Sequence, residues 1–170
     1  MHQFRLLFLT VFLVCASFAQ TTSVSVTIAP EASLTVTTGT TTLTSAGIFG
    51  AFTGTTNLTY KVRTTQSGGS GSIVLKISSD FSPANGPSVA SPPTAGDTLT
   101  YTCTVSSPGT ACTGSLTSST SVTTNVSTFG ADGRSAQAGN SASVTWSLTN
   151  DPQYKTGSYT ATATFTISAS

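Results

Sequence analysis

Hydrophobic and polar residues alternate with a period of two along most of this chain. Near the C-terminus, Tyr159, Ala161, Ala163, Phe165, Ile167 and Ala169 hold one parity, while Thr160, Thr162, Thr164, Thr166 and Ser168 hold the other. Successive side chains of a strand point to opposite faces, so this pattern predicts a half-buried β-strand. Ala142, Val144, Trp146 and Leu148 repeat the scheme against Ser143, Thr145, Ser147 and Thr149, until Asn150, Asp151 and Pro152 stop it. The two segments are expected to be partner strands joined by a turn, with the rest of the chain built to cover their apolar face.

The same reading runs back to the start. Val24, Val26 and Ile28 alternate with Ser23, Ser25 and Thr27; Pro30 interrupts, and Leu34 and Val36 resume the pattern. A proline cannot donate to a central ladder, so this is one broken edge strand or two short ones. Residues 40–43 suggest a further short strand. Ile48, Phe49 and Phe52 lie among Gly47, Gly50 and Gly54, which suits a bent connection that plugs one end of a core or, alternatively, an exposed aromatic loop. Leu58, Tyr60 and Val62 point inward from residues 56–65, and Ile73, Leu75 and Ile77 from the segment after a Gly/Ser turn at 66–71. A hairpin is expected there, bringing Lys61, Arg63 and Lys76 together on its solvent face.

Residues 82–97 hold Pro83, Pro87, Pro92 and Pro93 and read as an irregular loop, the best single candidate for a contact surface. Leu99, Tyr101, Cys103 and Val105 define another inward-facing strand and Val122 and Val126 a weaker one. Residues 129–140 form a Gly-rich loop. Eight or nine strands, turn signals about every ten residues and no helical periodicity predict an all-β fold, an antiparallel two-sheet β-sandwich of Ig-like or pilin-like kind, with a closed β-barrel as the alternative.

Composition changes this picture in three ways. Thr and Ser number 36 and 27, which by itself suggests a disordered stalk. Here Thr occupies the polar parity of strands whose other parity is oily, so it reads as the wet face of a sheet. Residues 6–14 form an apolar run of about nine residues, far short of the roughly 20 that span a bilayer. With Arg5 before the run and Ser17 and Ala19 after it, residues 1–19 are expected to be a signal peptide, leaving one secreted domain at 20–170 with no membrane span. That domain carries five basic and five acidic residues. A surface without clustered Lys and Arg offers nothing to phosphate backbones, so nucleic acid is not an expected partner.

Chemistry is sparse. Cys103 and Cys112 are expected to form a disulfide in an exported chain. His2, the sole histidine, belongs to the leader, so residues 20–170 have no imidazole for a general base, a triad or a metal. Asp80, Asp97, Asp132 and Asp151 could converge at one end and hold calcium, but the spacing of a dedicated calcium loop is missing. Neither a cofactor nor an enzymatic activity is expected. Asn57 and Asn125 open N-glycosylation triplets, which matter only in a host that uses them.

Trp146, Ser147 and Leu148, followed by Gly157, Ser158 and Tyr159, resemble the C-terminal motifs of WxL domains. Those attach to cell-wall peptidoglycan; Phe165 and Ile167 stand where a second Trp and Leu belong. Residues 157–164 are also similar to the closing strand of spore coat U and fimbrial-subunit families, small exported sandwiches. That resemblance implies polymerisation by strand addition, with Val24, Val26 and Ile28 donated to a neighbouring sandwich. The plainer alternative makes them this chain's own first strand. Two functions are therefore expected: a non-enzymatic structural or adhesive domain at a bacterial cell surface, a coat or fibre subunit partnered by itself or by other subunits; or a module binding cell-wall glycan through loop residues such as Phe49, Phe52, Pro87, Pro92, Pro93 and Tyr154.

Overall fold

A computed structural model describes residues 20–170; the leader read at 1–19 lies outside them. Ten strands follow one another: β1 (Glu31–Val36), β2 (Thr44–Ser45), β3 (Phe52–Arg63), β4 (Gly71–Ser82), β5 (Leu99–Val105), β6 (Thr110–Ala111), β7 (Leu116–Thr117), β8 (Thr124–Phe129), β9 (Asn140–Leu148) and β10 (Thr160–Ala169). They build two antiparallel sheets. The larger has the order β1-β3-β9-β5-β7 with β2 also on β3, and the smaller has the order β10-β4-β8-β6. The expected sandwich is the fold found. The sheets do not close into a barrel, because β1 and β10 remain unpaired along their outer edges. Among the described residues no helix is long and apolar enough to cross a membrane.

The inward parities predicted from alternation make the core: Leu58, Tyr60 and Val62 of β3, Ile73, Leu75 and Ile77 of β4, Leu99 and Tyr101 of β5, and Val144, Trp146 and Leu148 of β9 are all buried. The hydroxyls buried with them are bonded. Trp146 Nε1 donates to Thr56 Oγ1 at 2.8 Å, and Tyr60 donates its hydroxyl to Ser106 O while accepting from Gly109 N. No buried side-chain polar atom lacks a partner among the described residues, as a low-dielectric interior requires. Cys103 and Cys112 are bonded. Since Cys103 lies on β5 and Cys112 directly follows β6, the bridge ties one sheet to the other.

Two pairings read from the sequence are corrected. β9 and β10 are not partners: β9 lies between β3 and β5, whereas β10 pairs with β4 in the opposite sheet. β3 and β4 likewise face each other across the core, so no hairpin forms. Lys61 and Arg63 then lie on the larger sheet and Lys76 on the smaller, and the expected basic cluster does not exist. The reason is the same in each case, because alternation says which side chains go inward and not which sheet supplies them. Finally, Val24, Val26 and Ile28 are in no strand of their own chain; β1 starts only after Pro30.

Register defines two poles. At one, Phe52 stands opposite Leu148 and Leu148 opposite Leu99, with Ser82 opposite Thr160 in the other sheet. At the other, Arg63 faces Glu31 and Gly71 faces both Phe129 and Ala169. Thr65 N donates to Ser170 O at 2.9 Å, which places the end of β10 beside the end of β3. Twelve residues of β3 separate the poles by roughly 40 Å at about 3.3 Å per residue.

Candidate functional site: an open groove and a free arm

The first pole is open. Beyond Val36 the chain leaves the ladder, and residues 38–43 run along the opening as one wall. That wall is held by Thr41 Oγ1, 2.6 Å from Thr56 Oγ1, which in turn accepts from the Trp146 indole. The facing wall is the first half of β10 together with the connection that precedes it. Between them lies a groove of about 1030 Å³ floored by Ile77, Leu99 and Leu148. It exists because nothing pairs with β10 on its outer side. Inward residues of β3, β4 and β9 are buried, yet Ala161, Ala163, Phe165, Ile167 and Ala169 on the inward parity of β10 are only half-covered.

At the opposite pole the chain enters β1 from an extended arm. Arg63 anchors its root, with Nε donating to Ala29 O at 2.8 Å and a second nitrogen 3.1 Å from Glu31 Oε2. Before that anchor Val24, Val26 and Ile28 are 94, 82 and 66 % exposed. Three aliphatic side chains on one parity, in no ladder, form a strand-forming surface without a partner.

The loop residues singled out as contacts separate. Phe49, Phe52, Pro87 and Tyr154 all line the groove, whereas Pro92 and Pro93 do not. Phe52 packs against the core, but Ile48 and Phe49 project into solvent and do not plug it. Tyr154 is turned inward, its hydroxyl donating to Asp97 Oδ2 at 3.0 Å. The sequence pattern carries no signal for that bond, because a tyrosine in a Pro/Gly-rich connection reads as an exposed ring. Tyr159, expected on the inward parity, lies instead over Gly86, where an added Cβ would come within 2.2 Å of the ring. It closes the loop of residues 83–87 onto the start of β10.

The four aspartates do not converge. Asp132 is at the arm pole, ion-paired with Arg134. Burial alone would raise the Asp80 carboxyl, but Ser88 Oγ and the amides of Val89, Ala90 and Phe81 outweigh it and hold it below the usual carboxylate range. Asp97 and Asp151 do meet, where the turn before β5 touches the connection after β9. Burial raises Asp97, and Asp151 beside it adds to the effect. Asp151 is lowered, by the Thr94 hydroxyl first and the Gln153 amide second. The pair therefore suits one shared proton, which fastens the Asp151 end of the groove wall to the Thr94 turn. Among the described residues no three His, Cys, Asp or Glu side chains are grouped to hold a metal.

Comparison with known proteins adds no relative: no family model, no curated protein and no solved structure matches this chain.

Proposed function

We propose that this is a secreted, non-enzymatic structural subunit of a surface coat or fibre, whose copies join when residues 23–28 of one complete the open sheet edge of the next. One observation carries the reading: an exposed arm with strand alternation and a β10 whose inward face is half-bare belong to the same molecule. Adding an extended segment to a free edge supplies main-chain bonds, and its alternate side chains fill the groove.

Direction follows from the poles. β10 runs from the groove pole to the arm pole. An arm folding back on its own body would lie parallel to β10, with Ile28 near Ala169. An arm from a second copy, entering at the groove pole, lies antiparallel, with Ile28 near Ala161 and Val24 near Phe165. Cysteine pairs separate these cases. Ile28→Cys with Ala161→Cys should give ladders of disulfide-linked oligomers under oxidation, and Ile28→Cys with Ala169→Cys should not cross-link. An internal 28–169 bridge, or a monomer with neither bridge, would refute strand addition between copies.

Glycan binding has less support. Of the three aromatic rings named for it, only Phe49 stands in solvent; Phe52 and Tyr154 are engaged with the protein.

The energetics of addition are closely balanced. Burying three aliphatic side chains contributes about 5–8 kcal/mol, and ordering six residues costs about 6–12 kcal/mol. Ladder bonds add roughly 1 kcal/mol each. A durable fibre therefore calls for contact beyond the arm.

A further inference from the structure

Ile48 and Phe49 are 96 and 62 % exposed, at the tip of a turn that is firmly built. Ser45 Oγ lies 2.8 Å from Gly47 O and 2.7 Å from Gly50 O, Gly50 N donates to Gly47 O, and Asn150 Nδ2 donates to Gly50 O at 3.1 Å, tying the turn to the end of β9. Phe49 has a φ of 50°, in the left-handed region that side chains seldom occupy. A strained, pre-shaped apolar tip facing water marks a contact. It stands at the mouth of the groove, which Phe49 helps to line.

The length of the arm says what reaches that mouth. Only Ala29 and Pro30 separate Ile28 from β1, so at most about 10 Å can lie between the last donated side chain and the donor's body. Arg63 shortens this further by holding Ala29. A donor with Ile28 at the groove mouth must press its own arm pole against the acceptor's groove pole. At that arm pole is a cleft of about 480 Å³, lined by Ser33, Lys61, Val62, Arg63, Ala136 and Gln137. The formal charges are complementary. The groove pole has Asp80 and the proton-sharing pair Asp97 and Asp151 against Lys155, and the arm pole has Lys61, Arg63 and Arg134 against Glu31 and Asp132.

We infer that Ile48 and Phe49 of each copy dock into the cleft beside Ala136 of the copy that donates its arm, giving a head-to-tail chain a second, body-to-body contact. The inference rests on the strand-addition reading. Such a contact uses different patches on the two partners and does not close on itself, so it propagates as a filament.

Two variants test it on the full secreted chain, beside the 28–161 cross-link that reports strand addition separately. Gly47→Cys with Gln137→Cys should form intermolecular disulfides. Ile48→Ser should leave the monomer's Tm unchanged, since that side chain is in water and lies outside the groove lining, yet make oligomers dissociate at least about tenfold faster, as loss of an anchor residue does. If the 28–161 bridge forms while 47–137 does not, or dissociation is unchanged, the docking is wrong and strand addition stands. If neither bridge forms and the protein sediments as a monomer, both fall. Sedimentation of the wild type, but not the Ile48→Ser variant, with phosphatidylglycerol vesicles would assign the tip to a lipid surface and overturn the docking.

Discussion

At the scale of single residues, the carboxyl pair at the groove makes stability depend on pH. Asp97, raised mainly by burial, holds its proton more tightly in the folded chain than in the unfolded one. Its contribution is complete below the ordinary carboxylate range and is lost as pH rises through the raised value. Asp151, lowered by the Thr94 hydroxyl, behaves in the opposite sense: its contribution is present above the ordinary range and is lost as pH falls through the lowered value. Between the two values the pair carries one proton, so its contribution to stability is greatest around the ordinary carboxylate range and falls as pH passes through either shifted value. Asp97→Asn keeps an acceptor for the Tyr154 hydroxyl and offers Asp151 a permanent donor. Its Tm should exceed that of the wild type by about 1–3 °C at pH 7, with the difference shrinking toward pH 4. A constant difference across that range would mean the pair shares no proton.

Among the elements, β5 and β6 show what a short link contributes. Cys103 and Cys112 are nine positions apart, with Cα atoms 5.5 Å apart, and join opposite sheets. Chain entropy for a loop of that size suggests about 2–3 kcal/mol. Replacing both cysteines by Ala should lower the urea midpoint by that equivalent without changing the slope, because the buried surface is nearly the same. The turn inside the loop should persist in the variant, since Tyr60 pins both Ser106 and Gly109 independently. Most strands were legible one by one. Each inward residue predicted in β3, β4 and β9 is buried, since burial on one face forces the period of two. The pairing of β9 with β10 was misread because neighbours in sequence often pair in space, and nothing in the residues 150–159 marks a crossover between layers.

At the scale of the whole molecule, the two poles carry opposite formal charge although residues 20–170 taken together are nearly neutral. End-to-end association should therefore slow as salt rises from about 0.02 M to about 0.5 M, where the screening length falls to roughly 4 Å. Stopped-flow light scattering on chains carrying the arm would show it, and a rate indifferent to salt would remove charge from the docking. The arm itself was half-legible. The alternation of Val24, Val26 and Ile28 was plain, whereas their isolation was not, because whether a strand has a partner is a property of the rest of the fold.

By itself the sequence determined which side chains face inward, that extended backbone dominates, and that two cysteines are placed to bond, since all three depend on residue type and near spacing. Only the tertiary structure decided which strands share a sheet, that the outer edge of β10 is left without a partner, and that the unpaired arm and the groove stand at opposite ends. Those follow from contacts between residues far apart in the chain, and hydrophobic alternation is identical whichever sheet a strand joins.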